Sequence, residues 1–232
     1  MTNYRVVLAA AVASGLLVYG GFVGIEAAVN GTVPAAPTAG EVSVQGSTVH
    51  LDRTGRPTVV GEVANGRNGP ITNVTVTVTG YRNGDRVASA TQRTLRTTIP
   101  AGATAPFDVH LPTESAVDDY DVSVSFREGG DVDSALVVRN QHVESRGQDR
   151  VVVGSTVVNT GDRPRELSRV VATFYDANRS VIGARQSRPT RTLRPGESVT
   201  VSVRFRTLGD VPSYARRFDD FDLAAVANRT DA

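Results

Sequence analysis

The sequence predicts an all-β protein, two tandem immunoglobulin-like antiparallel β-sandwiches after an N-terminal transmembrane helix. Three observations predict it. The chain repeats itself: Val59–Leu111 matches Val151–Phe205, with Tyr81 answering Tyr175 and Gly102 answering Gly196 at a constant offset. Each copy carries alternating apolar and polar residues between turn signals, and neither shows an amphipathic helix. Ahead of both copies, Val6–Ile25 is a run without a single charge.

In chain order, residues 1–29 form the expected anchor, 30–46 a stalk, 47–128 a first sandwich, 129–135 a linker and 136–229 a second sandwich. As a helix the uncharged run spans about 30 Å, the hydrocarbon thickness of a bilayer. It is longer than the apolar core of most signal peptides, and its Ala-x-Ala triplets lie inside the run. An uncleaved anchor is therefore favoured. Gly15, Gly20, Gly21 and Gly24 lower its hydrophobicity and keep cleavage, and so secretion, open. Arg5 before the run, with no basic residue just after it, places the N-terminus in the cytoplasm and the repeats outside. The stalk holds Pro34, Pro37 and small residues that cannot build a core.

In the first copy Asn73–Thr79 alternates strictly, placing Val74, Val76 and Val78 inward. Asn83-Gly84 then signals a tight hairpin, because both central residues must take positive φ. In the second copy Asp176–Arg179 fills that turn, and Pro195-Gly196 suits a type II turn. The following strand puts Val199, Val201, Val203 and Phe205 inward, as its counterpart does Ala105, Phe107, Val109 and Leu111. The last strands begin at acidic clusters, with Tyr120, Val122 and Val124, or Phe221, Leu223 and Ala225, inward. First strands are expected at Ser47–Leu51 and Thr58–Asn65, and at Leu136–Val143 and Val151–Asn159. The cysteine and tryptophan core of antibody domains is missing, since the chain has neither residue.

Gly154, Asn159-Thr160-Gly161, Thr173-Phe174-Tyr175-Asp176, Val181-Ile182-Gly183 and Leu193-Arg194-Pro195-Gly196-Glu197 resemble the FxLYD-type domain. The resemblance covers 152–205 and extends more loosely to 59–111. It implies a small β-sandwich in an exported or membrane-anchored prokaryotic protein. Its motif consists of turn and core residues and carries no catalytic residue.

Composition excludes several chemistries. Without cysteine there are no disulfides, no thiolate metal ligands and no cysteine nucleophile. Every basic residue is arginine, so a P-loop lysine and a Schiff-base lysine are ruled out. Charge divides unevenly: residues 1–136 hold 9 Arg against 13 Asp and Glu, a net of −4, and residues 137–232 hold 16 Arg against 11, a net of +5. That asymmetry bears on partners.

Two repeated acidic clusters, Asp118, Asp119 and Asp121, and Asp219, Asp220 and Asp222, are the candidate Ca²⁺ ligands, since a hard cation takes several carboxylate oxygens. The plain alternative is a solvated strand entry, and no EF-hand-like loop accompanies them. Arg185, Arg188, Arg191 and Arg194 recur every third residue, with Arg204, Arg206, Arg216 and Arg217 later, as a candidate basic patch. On an extended strand that spacing alternates faces, so one stripe is not assured. His50, His110 and His142 read as edge or surface residues. Asn30, Asn73, Asn178 and Asn228 begin Asn-x-Ser/Thr triplets, glycan acceptors in an exported chain, with Asn178 at a hairpin tip. HExxH, GxSxG, GxGxxG and Walker patterns are absent.

The functional expectation is a non-catalytic cell-envelope protein, anchored through residues 6–25. Its two modules bind protein or acidic glycan, or act as spacers. No cofactor and no nucleic acid are expected. Alternatives are a pilin-like or archaellum-stator-like filament subunit and, further off, a hydrolase.

Overall fold

A computed structural model describes residues 4–8, 40–52, 55–130, 132, 134–147, 150–206 and 218–227. All regular elements among them are β-strands, joined into four antiparallel sheets. The chain divides into two units whose main break falls at Gly130/Asp131, with Asn178–Val181 grouped with the first.

The first unit contains β1 (Tyr4–Leu8), β2 (Val42–Leu51), β3 (Pro57–Asn65), β4 (Ile71–Arg82), β5 (Asp85–Arg93), β6 (Thr98–Ile99), β7 (Thr104–His110) and β8 (Asp119–Glu128). One sheet runs β2-β3-β7. The other runs β1-β8-β4-β5, with β6 also on β4. Alternation explains the sandwich character. Val59, Val63, Phe107 and Val109 from the first sheet meet Val74, Val76, Val78, Tyr120, Val122 and Val124 from the second in one buried cluster. The threonines between Val74 and Val78 face outward, where Thr77 and Thr91 bond across strands at 2.8 Å.

The second unit contains β9 (Leu136–Arg146), β10 (Arg150–Asn159), β11 (Arg165–Tyr175), β12 (Val181–Ser187), β13 (Arg191–Leu193), β14 (Ser198–Arg206) and β15 (Asp220–Ala227). Its sheets, β14-β10-β9 and β12-β11-β13 with β15 on β11, repeat the strand order of the first unit without a counterpart of β1. Val151, Val153, Val157, Val201, Val203 and Phe205 share one cluster with Leu167, Val170, Phe174, Ile182 and Leu223. Phe174 stacks on Phe205 with centroids 4.6 Å apart.

The repeat is also visible in hydrogen bonds. Asn65 is fully buried, and its Nδ2 donates to the carbonyls of Gly69, Ile99 and Pro100. Asn159 is equally buried, donating to the carbonyls of Arg163 and Leu193 and accepting from the Gly161 amide. The amides of Gly102 and Gly196 donate to the carbonyls of Asn65 and Asn159, each at 2.8 Å. Both glycines have positive φ, 71° and 76°, as position three of a type II turn demands. Asn83 and Gly84 take φ of 52° and 84°, the primed turn expected of that pair.

Three boundaries differ from expectation. β2 starts at Val42, inside the stretch assigned to the stalk, because Val42 is buried and Val44 packs on the same cluster. β9 continues to Arg146, where two bulges hide the alternation. At the N-terminus, Tyr4–Leu8 forms β1, antiparallel on β8 with Leu8 opposite Val122, so Val6–Leu8 of the expected helix are extended. An open sheet edge pairs readily with such a short β-branched segment. The rest of the expected anchor and the stalk up to residue 39 lie outside the described residues. Among the described residues, no helix is long and apolar enough to cross a membrane.

Candidate functional site

The repeated acidic clusters have local structural partners. Asp121 Oδ2 accepts from the Tyr81 hydroxyl at 2.9 Å, and Asp222 Oδ2 from the Tyr175 hydroxyl at 3.3 Å. Asp119 and Asp220 each accept from the next residue's amide. Asp118 accepts from the Asn83 amide, closing the hairpin. The Asp118 and Asp219 amides donate to the carbonyls of Tyr81 and Tyr175. Each cluster thus ties a strand entry to the tyrosine of the neighbouring hairpin. The bond to the Asp121 carboxylate, followed by desolvation, raises the Tyr81 pKa, since ionising the phenol would place two anions together. Among the described residues, no group of three or more His, Asp or Glu is placed to share a metal ion.

The expected arginine stripe divides. Arg185 lies over the Phe205 ring, 5.5 Å from its centroid, at the edge of the core. Arg188 is exposed in the loop before β13. Arg191 pairs with Glu197 at 2.9 Å, and the Arg194 amide donates to the same carboxylate. These bonds, the backbone one first, hold the Glu197 carboxyl below its usual range. Arg191, Arg194 and Glu197 thus brace a turn. Arg216 and Arg217 lie outside the described residues, as do Asn30 and Asn228. Asn73 is exposed at a bulge of β4 with φ 52°, and Asn178 is exposed in the β11–β12 turn. His50 is buried, His110 bonds to Thr58, and His142 lies exposed on β9 beside the Asn140 carbonyl.

Strand register gathers a different set of arginines. On the outer face of β9-β10-β14, Arg150 sits opposite Arg206, Val152 opposite Arg204 and Ser145, Gly154 opposite Ser202 and His142, and Thr156 opposite Thr200 and Arg139. These positions alternate with the inward Val151, Val153, Val157, Val201 and Val203. Arg139, Arg150, Arg204 and Arg206 therefore share one exposed face, and among the described residues none has a carboxylate partner. Arg204 and Arg206 were in the sequence-predicted patch, but Arg139 and Arg150 were missed. The signal for Arg204 was alternation along β14, whereas Arg139 needs the β9 bulges before its face can be assigned. Arg146, from the same strand, turns the other way: its Nη2 donates to the Phe218 carbonyl and its guanidinium lies 5.3 Å from that ring's centroid.

Among the described residues, one carboxylate lies on this basic face. Glu144 is the extra residue of a bulge between the Ser145–Val152 and Val143–Val153 pairs. The bulge aims its side chain across β10, where Ser202 Oγ donates to Oε1 at 2.6 Å. It passes above Gly154, where a Cβ would overlap the carboxylate. At the repeat offset of 94 shared by Asn65 and Asn159, the residue answering Gly154 is Val60, and those answering Ser202 and Arg204 are Asp108 and His110. Of the four arginines only Arg150 has an arginine counterpart, Arg56, while Gln45, His110 and Pro112 answer the others, so the assembled face is specific to the second unit.

No protein-family model matches the chain, and no curated protein matches it. Solved structures do resemble it. A β-glucuronidase of glycoside hydrolase family 2 matches at 11% identity and TM-score 0.24, over 66% of this chain and 20% of that one. The exo-chitosanase CsxA of Amycolatopsis orientalis matches at 14% identity and TM-score 0.29, over 79% and 25%. Red sea bream transglutaminase matches at 14% identity and TM-score 0.24, over 79% and 29%. This chain spans less than a third of each of those proteins, and likeness at these scores carries no functional argument.

Proposed function

We propose that the protein is a non-catalytic, membrane-anchored envelope component with two immunoglobulin-like sandwiches, the second of FxLYD type, and that the outer β9-β10-β14 face binds a linear acidic polysaccharide. The placement of Arg139, Arg150, Arg204 and Arg206 on one exposed sheet face carries the reading. Guanidinium groups grip carboxylates through paired hydrogen bonds, and Thr156, Thr200 and Ser202 add hydroxyls between them. Among the described residues the face carries no Trp, Tyr or Phe to serve as the aromatic anchor of a tight protein interface, which favours a polyanion over a folded partner. The uncharged residues 9–25 that follow β1 support the anchor, and the pattern around Asn159 and Gly196 supports the FxLYD assignment.

The test is binding to immobilised polygalacturonate across a salt series. We expect affinity to fall steeply as salt rises, and the double variant Arg204→Glu, Arg206→Glu to lose at least about tenfold, equivalent to about 1.4 kcal/mol. Binding that ignores both salt and this variant overturns the proposal.

A further inference from the structure

Gly154 is the floor of a niche on the outer face of β10, beneath the Glu144 carboxylate. The position has no positive φ that would require glycine, and the corresponding residue of the first unit is Val60. The Glu144 carboxylate lies over the missing side-chain volume at Gly154, delivered by the bulge of β9 and held by the Ser202 hydroxyl of β14. Arg204 stands two residues from Ser202 on the same face of β14, and His142 is in register with Gly154 on β9.

We infer that this niche is a uronate subsite, occupied in the free protein by the protein's own Glu144, which a ligand carboxylate must displace. The inference rests on the polysaccharide reading and adds its central contact. Ser202 Oγ would donate to the incoming carboxylate as it now does to Glu144, and Glu144 would swing outward from the bulge. Because Glu144 is exposed and its only partner among the described residues is Ser202, that exchange breaks no core contact. Glu144 thus acts as an internal competitor that sets the threshold for binding and rejects neutral sugars, which offer nothing to replace it.

The full-length protein with Glu144→Ala is expected to bind polygalacturonate at least about fivefold more tightly than the unaltered protein. Glu166→Gln, which removes a charge on β11, is the control and should gain less than about twofold. Adding Gly154→Ala to Glu144→Ala fills the niche and should cancel the gain, and adding Ser202→Ala should cancel most of it. Circular dichroism melting identifies any variant that fails to fold, and Gly154→Ser then replaces Gly154→Ala. A gain from Glu144→Ala no larger than the control's, or one that survives filling the niche, overturns the inference. If the unaltered protein does not bind polygalacturonate at all, the polysaccharide reading itself fails.

Discussion

Asn159 illustrates how one residue holds a module together. Its amide satisfies two carbonyls far apart in sequence, one in the β10–β11 loop and one at the end of β13, and its carbonyl oxygen takes the Gly161 amide. Replacing it with alanine strands these groups out of water, each at a cost of about 1 kcal/mol or more. We expect Asn159→Ala to destabilise the second unit by about 3 kcal/mol in urea titration, and Asn65→Ala to do the same to the first. Glu197 acts on the neighbouring turn with a dependence on pH. Its pKa is depressed in the folded protein, so its contribution is present above the unfolded value near 4.5 and is lost as pH falls through the folded value. The protection factor of the Gly196 amide, the NMR exchange rate relative to the unstructured peptide at the same pH, should therefore fall in acid while those of β10 amides hold. The sequence singled out Asn159, Gly161 and Glu197 as motif residues, yet gave no roles, because a side chain bonding across more than thirty residues leaves no local periodic trace.

At the scale of elements, strands with one buried face were legible and irregular strands were not. β4 and β14 alternate without interruption, so their inward residues could be read directly. β9 could not be read this way, since its bulges shift the phase of alternation twice and Asn140 takes φ 52°. The true basic face crosses three strands, and only register brings Arg139 beside Thr156 and Thr200. Packing between elements uses glycine differently in the two units. Gly61 on β3 lies under Phe107, and Gly183 on β12 lies under Phe205. A methyl group at Gly183 would meet the Phe205 ring, which is fully buried and already stacked on Phe174. Gly183→Ala should cost about 1–3 kcal/mol by overpacking, visible as a lower denaturation midpoint with an unchanged slope.

Over the whole molecule, duplication was the most legible property, because the turn-forming residues it preserves keep a fixed offset. What diverged between the copies is the outward surface, and there the sequence offers charge but not geometry. The net of +5 over residues 137–232 becomes a site only when some arginines are assigned to a face and others to bracing a turn or covering a ring. The proposed anchor makes a prediction at this scale. Alkaline carbonate should leave the full-length protein in the membrane pellet, and a chain beginning at residue 40 should appear in the supernatant. Release of the full-length protein would remove the anchor.

The twice-bulged β9 forms one border of its sheet, with Arg139, His142, Glu144 and Arg146 along it. A border so kinked and charged offers poor docking for another extended backbone, because amides fall out of step at each bulge. Crowded side by side at high local density, copies of this module would resist seeding fibrils through that border.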